Sequence, residues 1–301
     1  MAKRNNTSGA EKKTKKEKVE ITNEIPVISQ YISMLNQKKY FQCYMSNISQ
    51  LLFNIYDADE SGRFEMKLDG NGTEEFPSVY LTKVDRPIWS LPVSISPSLE
   101  LFLETNNALH LISESKPYSA LYIRNGDSKA GEKMQNASEA EFAERYMSGA
   151  GTGDDKEGKN IADSLGELLA RDYLATRKKK KDIEERLKLL KPMVIKELPD
   201  IETKTYSYSA GGEKYTLSLR SHPGGRKSLN RARFAELFGM QEVENFGVER
   251  RLRVLRVETE QEHEKRVEFM SRKRRADEAQ YGDEYDDDAD NEFGYGYEPS
   301  I

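Results

Sequence analysis

The residues of this chain whose types and spacing could do chemistry are basic side chains in its second half. Cations fill 177–181, surround a Gly-Gly pair at 224–225 and recur along 250–256. Phosphate contacts need only cations and backbone donors, so these groups predict sequence-independent binding of nucleic acid. Tyrosines on a β-hairpin predicted in the same half of the chain could also stack on bases. The candidate nucleic-acid-binding residues are Arg177, Lys178, Lys179, Lys180, Lys181, Tyr208, Tyr215, Arg220, Arg226, Lys227, Arg231, Arg251 and Arg253.

These residues also have structural interpretations. The lysine run at 178–181 is followed by three carboxylates within four residues, so it could be an ordinary solvated face of a helix. Tyr208 and Tyr215 lie on predicted strands, where tyrosines serve equally well in the core or in cross-strand pairs. The sequence leaves both interpretations open.

Candidate catalytic and metal sites are much weaker. Asp57–Gly62 begins like a calcium-binding EF-hand loop, but the position of the required bidentate acid is occupied by Leu68, which favours a simple acidic turn before a strand. The three histidines lie far apart without a cysteine partner, and Gly149–Gly153 lacks the Lys-Ser/Thr ending of a phosphate loop. We therefore expect a protein that is not an enzyme and needs neither a cofactor nor a metal.

The charge of the chain is segregated along its length. The 301 residues carry a formal net charge of −5, yet residues 1–18 hold seven Lys or Arg against two Glu. Cys43 is the single cysteine, which excludes an intrachain disulfide and fits a reducing compartment. No apolar run follows the basic N-terminus or approaches a membrane span. We expect a cytoplasmic protein, in the host cytoplasm if it is viral, that meets a polyanion rather than a membrane.

The C-terminal segment 277–301 contains ten carboxylates, no Lys or Arg, and five interleaved aromatic residues. Such a block cannot collapse onto a core. It could serve as a solubiliser, as a peptide that recruits a protein partner, or as an intramolecular competitor that occupies the basic surface when no nucleic acid is bound.

The periodicity predicts an α+β fold of two small domains, the second with a long basic helix and a β-hairpin. Helical spacing at 25–56 indicates two helices or one interrupted near Asn36–Lys39, and short strands follow. The predicted segments are a disordered basic arm at 1–24, a small α+β domain at 25–125, a flexible linker at 126–160, the basic domain at 161–275 and a disordered acidic aromatic tail at 276–301.

Several local features are specific enough to be tested individually. Leu99–Glu104 is predicted to be a strand, and Asn106-Asn107 a tight hairpin turn. A helix from Ile161 to about Leu190 should be broken or kinked at Pro192. Two further predictions concern a hairpin of strands at 203–208 and 214–220, and a helix that Asn230 caps and Gly239 closes.

The order of elements in residues 163–257 resembles the C-terminal part of YqaJ-like exonucleases, a module of phage-type DNA-recombination proteins. The resemblance rests on residues 169–173, 183–190, 215–220, 226–230, 234–237 and 251–257. It covers about a third of the chain. No Glu or Asp-x-Glu-x-Lys constellation of a nuclease accompanies it, so it implies a setting in DNA metabolism and no catalytic residue.

These observations favour a non-enzymatic nucleic-acid-binding accessory protein of phage-type replication or recombination, regulated by its acidic tail. DNA is the expected partner, without sequence preference, and self-association is compatible with the pattern. The alternative is a virion or assembly structural protein that works through protein–protein contacts, using the long charged helix and the terminal arms to interlock with neighbours.

Overall fold

The computed structural model describes residues 16–70, 78–92, 94–146 and 158–281, with the side chains of 158–164 and 273–281 outside this description. The chain is mixed α+β. Its helices are α1 (Pro26–Ile55), α2 (Pro97–Thr105), α3 (Ala130–Tyr146), α4 (Gly158–Lys196), α5 (Arg231–Phe246) and α6 (Glu260–Tyr281). Its strands are β1 (Glu17–Ile21), β2 (Arg63–Leu68), β3 (Val79–Ser90), β4 (Ile112–Glu114), β5 (Tyr118–Asn125), β6 (Lys204–Ala210), β7 (Glu213–His222), β8 (Lys227–Leu229) and β9 (Val248–Thr259).

The strands pair across the predicted domain boundary. A four-stranded sheet has the order β1-β6-β7-β5, a three-stranded sheet the order β2-β3-β9, and β4 pairs with β8. Every sheet therefore contains strands from the first half and from the second half of the chain. The packing differs from the predicted division into a 25–125 domain and a 161–275 domain, because strand partners distant in sequence complete each sheet.

Helices α1 and α4 each contribute buried residues to two of the three hydrophobic cores. In α1, Ile28 and Ile32 are buried in the first core, whereas Ile48 and Leu52 are buried in the second. The helix is continuous, so the predicted interruption near Asn36–Lys39 is absent from it. Pro26 lies in its first turn, where the missing N–H has no helical partner to lose.

Helix α4 likewise continues through Pro192 to Lys196, so the predicted break does not occur. Pro192 is exposed, and water can bond to the carbonyl that loses its donor there. The helix keeps Leu169 and Ala170 in the second core and Leu187 and Val194 in the first, so burial on both sides of the proline favours its continuation.

The third core is smaller and joins α2 to α5. Leu99 and Leu103, four residues apart, are fully buried beside Phe234. Leu99–Glu104 is thus helical rather than the predicted strand, because Ser96 caps the helix by accepting from the Leu99 backbone N–H at 3.2 Å and Pro97 starts its first turn. The predicted hairpin turn is also wrong: Asn106 ends α2, and the next residue has a φ of +56°.

Two segments predicted to be unstructured contain regular structure. Within the predicted linker 126–160, α3 buries Phe142 and Tyr146 against the second core, while 147–157 lie outside the described residues. Within the predicted arm 1–24, β1 pairs in parallel with β6, and 1–15 lie outside the description. Of the predicted tail 276–301, helix α6 includes the part up to Tyr281 and the rest is outside it.

Two local predictions are confirmed. Strands β6 and β7 form the expected antiparallel hairpin around Gly211 and Gly212, which both have positive φ. Asn230 caps α5 by accepting from the Arg233 backbone N–H at 3.1 Å. The predicted end of this helix at Gly239 is confirmed as well, because Gly239 has a non-helical φ of +78° and a second helical segment follows it, to Phe246, within the range of α5.

Candidate nucleic-acid interface

The lysine run of α4 lies between the parts of the helix that pack into the two large cores. Lys178, Lys179 and Lys181 are exposed and Lys180 is half-exposed. Among the described residues, no carboxylate lies within ion-pair distance of any of the four ammonium groups. The four lysines therefore have no ion-pair partner among the described residues. The helix that carries them is packed into a hydrophobic core before and after the run.

Arg177, at the start of this run, is engaged within the fold. Its guanidinium donates to the Val257 backbone carbonyl at 3.0 Å and forms an ion pair with Glu262. These contacts join α4 to the end of β9 and the start of α6. These two contacts give Arg177 a structural role, and they use two of the five N–H donors of its guanidinium.

The two predicted stacking residues, Tyr208 and Tyr215, are in the first core. They are 1% and 4% exposed. The Tyr208 hydroxyl donates to the Ile25 backbone carbonyl at 3.2 Å, and the Tyr215 hydroxyl donates to Glu213 at 2.7 Å and accepts from Asn36. The strand alternation places both rings on the buried face of the sheet, so neither can stack on a base.

Arg251 and Arg253 converge on one carboxylate midway along the β3/β9 ribbon, where Asp85 is opposite Arg253. Asp85 accepts from Arg251 at 2.6 Å, and Arg253 lies 3.8 Å away from it. The hydrogen bond from Arg251 and the charges of both arginines hold the pKa of Asp85 below its ordinary value. Arg253 also lies over the Phe53 ring at 4.4 Å. One carboxylate between two guanidinium groups neutralises part of the positive charge at this point of the ribbon.

The cations predicted to cluster beyond the β6/β7 hairpin are distributed over three elements. Arg220 is on β7, Arg226 is exposed in the loop before β8, and Arg231 is half-exposed at the start of α5. Lys227, on β8, forms an ion pair with Glu100. Lys227 is therefore compensated locally, whereas Arg226 remains an exposed cation.

The outer face of the four-stranded sheet carries an aromatic and basic group that the sequence pattern did not single out. Tyr118 and Tyr122 are 57% and 37% exposed on β5. His222 stacks on Tyr118 with ring centroids 4.5 Å apart, and the guanidinium of Arg220 lies 4.6 Å from the centroid of the Tyr122 ring. The available signal was the alternation of Leu121 and Ile123 with these tyrosines, which marks two faces of one strand.

The carboxylate of Asp59, in the EF-hand-like segment, has its partners within its own loop. Asp59 accepts from the backbone N–H groups of Ser61 and Arg63, and the Ser61 hydroxyl bond is the main cause of its lowered pKa. The EF-hand-like segment is thus a turn before β2 in which this carboxylate bonds to its own loop. Across the described ranges, no three His, Cys, Asp or Glu side chains are grouped to hold a metal ion. Of the helices in those ranges, none has the length and apolar character needed to cross a membrane.

Comparison of the chain with protein-family models, with curated proteins and with solved structures finds no match. The residues and contacts described above are therefore the basis for any functional conclusion.

Proposed function

We propose that this chain is a non-enzymatic nucleic-acid-binding accessory protein. The observation that supports the proposal is the run Lys178–Lys181, which is exposed or half-exposed and has no ion-pair partner among the described residues. The run lies on a helix that is packed into a core before and after it. Cations that are not held in an ion pair can replace the counterions of a polyanion, and the release of those counterions drives association. The setting in phage-type replication or recombination is supported only by the resemblance of residues 163–257.

The helical geometry limits what this run can contact. Successive residues of an α-helix are separated by 1.5 Å along the axis and about 100° around it. Four consecutive lysines therefore cover most of the circumference, and their long flexible stems bring the charges to the exposed side. Contacts of this kind position a phosphate backbone and read no bases, so the binding is expected to be independent of sequence.

Replacing Lys178, Lys179, Lys180 and Lys181 together with Gln is expected to weaken DNA binding at least about tenfold at low salt. Gln keeps the helix propensity, so the charge is the main change. Each phosphate that the variant no longer neutralises lowers the slope of log K against log salt by about 0.7 to 0.9, so the loss of four phosphate contacts predicts a slope shallower by about 3 to 4. The measurement is fluorescence anisotropy of labelled single- and double-stranded DNA at several salt concentrations.

A matched control removes four cations that already have carboxylate partners. The control variant carries Gln at Lys67, Lys133, Lys204 and Arg272, which form ion pairs with Glu260, Asp127, Asp200 and Glu268. It changes the net charge equally but should leave the salt slope nearly unchanged. An equal loss in both variants would contradict a role for the lysine run. No binding by the unaltered chain at low salt would reject the proposal and favour a structural role in an assembly.

The regulatory part of the proposal concerns the acidic segment after Tyr281. A tethered polyanion competes for basic surface at an effective concentration near millimolar. Neutralising the segment is expected to tighten DNA binding about two- to tenfold at low salt, with the difference vanishing at high salt. The variant replaces with Asn or Gln the residues Asp283, Glu284, Asp286, Asp287, Asp288, Asp290, Glu292 and Glu298. Unchanged affinity at low salt would refute competition by this segment.

A further inference from the structure

The four-stranded sheet has one buried face and one solvent face. Leu121 and Ile123 on β5, with Leu217 and Leu219 on β7, pack into the first core. Because side chains alternate along a strand, the intervening residues point to the other face. On β5 and β7 these are Tyr118, Ala120, Tyr122, Arg124, Thr216, Ser218, Arg220 and His222.

The aromatic side chains of this outer face are held in place by one another. Tyr118 lies directly opposite His222 in the strand register, and their rings are stacked with an interplanar angle of 11°. The Tyr122 hydroxyl lies 2.8 Å from His222 Nε2, and Arg220 covers the Tyr122 ring. Rings already fixed by such contacts lose little conformational freedom when a planar ligand stacks on them.

The charge of the outer face suits a polyanion. Its strand positions include the cations Lys18, Arg124, Lys214 and Arg220, and within the described residues Glu20 is the one carboxylate among them. The centre of the face carries small hydroxyl side chains, which leave the surface open to close approach: Thr205, Ser207, Ser209 and Thr216. Ser218, on the same face, is buried. A strip of small polar residues is therefore bordered by aromatic rings and cations.

We propose that this outer face binds single-stranded nucleic acid by stacking unpaired bases on Tyr118 and Tyr122. Arg124 and Arg220 contact the phosphates beside those bases. The Cα atoms of the two tyrosines are four residues apart on one strand, about 13 Å. Both rings contact His222, at centroid distances of 4.5 Å and 5.9 Å, so the rings are closer together than their Cα atoms. The side of each ring that faces away from His222 takes a different base. Every base has an aromatic face, which makes the contact tolerant of sequence.

Strand preference follows from the same geometry. In a duplex both faces of each base are covered by its neighbours, so an exposed tyrosine gains a stacking partner only from an unpaired base. The lysine run of α4 makes no such distinction, because phosphates are present in both forms. This inference rests on the proposed nucleic-acid function and adds to it a second surface and a preference for single strands.

The test uses the full chain and an oligothymidylate of about 16 nucleotides, with a duplex of equal length as the comparison. Replacing both Tyr118 and Tyr122 with Ala is expected to weaken single-strand binding at least about 20-fold, because each stacked base contributes about 5- to 150-fold in affinity. Duplex binding should change by less than about threefold. Replacing both tyrosines with Phe keeps the rings and should retain most of the affinity.

Two controls separate stacking from other effects. Phe269 on α6 is 65% exposed, and replacing it with Ala should leave single-strand binding unchanged. Replacing Arg124 and Arg220 with Gln should make the single-strand salt slope shallower by about 0.7 for each phosphate that the variant no longer neutralises. Circular dichroism and thermal unfolding of each variant show whether the fold is retained, and Tyr118→Phe/Tyr122→Phe is informative even if the alanine variant is unstable.

The outcomes distinguish this inference from the proposed function. Single-strand binding that is retained by the folded alanine variant would overturn the stacking surface and leave the function of the lysine run intact. Equal losses for single strands and duplex would also overturn it, since stacking requires unpaired bases. Loss of single-strand binding with rescue by the phenylalanine variant supports it. No binding by the unaltered chain rejects both proposals.

Discussion

Replacing Asp172 with Ala is expected to lower the free energy of unfolding by about 2 to 6 kcal/mol. Asp172 Oδ2 accepts hydrogen bonds from the Tyr44 hydroxyl at 2.9 Å and the Tyr146 hydroxyl at 2.5 Å. Both tyrosines are less than a tenth exposed. Each hydroxyl left buried without its acceptor costs about 1 to 3 kcal/mol.

The network joins three helices at the second core. Tyr44 is on α1, Tyr146 ends α3, Asp172 is on α4, and Arg145 forms a further ion pair with Asp172 at 3.4 Å. Burial, together with the hydrogen bond to Asp172, raises the pKa of both tyrosines above their ordinary value. The two hydroxyls therefore remain donors over the whole neutral range, and the carboxylate is their shared acceptor.

Chemical denaturation followed by circular dichroism measures this effect. The matched control is Asp182→Ala, which removes an exposed carboxylate from the same helix and should change stability by less than about 0.5 kcal/mol. Adding Asp172→Ala to a Tyr44→Phe/Tyr146→Phe background should produce a clearly smaller loss, since the donors are then absent. A loss below about 1 kcal/mol for Asp172→Ala alone would show that the hydroxyls find other acceptors.

Replacing Phe234 with Ala is expected to destabilise the third core by about 3 to 5 kcal/mol. Phe234 is 0% exposed, and its ring lies 5.0 Å from the Phe238 ring and 6.0 Å from the Phe102 ring. A buried phenylalanine reduced to alanine loses its transfer free energy and leaves a cavity that its neighbours fill only in part. The third core is small, so a single cavity disturbs most of its packing.

Hydrogen exchange read by mass spectrometry shows where this destabilisation acts. Amides of α2 and α5 are expected to exchange at least about 100-fold faster in the Phe234→Ala variant, because about 1.4 kcal/mol corresponds to a factor of ten. Amides of α4 at Leu169 and Leu187 belong to the other cores and should change much less. Uniform acceleration across all three helices would show instead that the cores unfold as one unit. Phe269→Ala, at an exposed ring, is the control.

Local chemistry was sufficient to predict several elements. The Gly-Gly pair at 211–212 takes positive φ readily, which defines the turn of the β6/β7 hairpin. Asn230 carries the side-chain acceptor that an N-terminus needs, so the start of α5 was also predictable. In contrast, Leu99 and Leu103 match both a short apolar strand and a helix of two turns. Only the Ser96 cap and burial against Phe234 distinguish them.

The candidate interface shows the same division. Strand alternation made Tyr208 and Tyr215 equivalent in sequence to Tyr118 and Tyr122, since each of the four alternates along its strand with residues of the opposite face. Packing against α1 and α4 decided that the first pair is buried and the second exposed. Similarly, Arg177 and Lys178 are adjacent and chemically alike, but only Arg177 lies where Val257 and Glu262 can hold it.

The sequence by itself determined the mixed α+β character, the Asn230 cap of α5, the β6/β7 hairpin and the presence of a lysine run, because these depend on neighbours within a few residues. The tertiary structure alone decided which strands pair, that β3 joins β9 and β5 joins β7, and which cations and rings remain free at the surface. The physical reason is that the local sequence around a strand or a charged residue does not specify which distant segment will contact it. Partners more than 90 residues apart are selected by the burial of whole faces, to which the complete chain contributes.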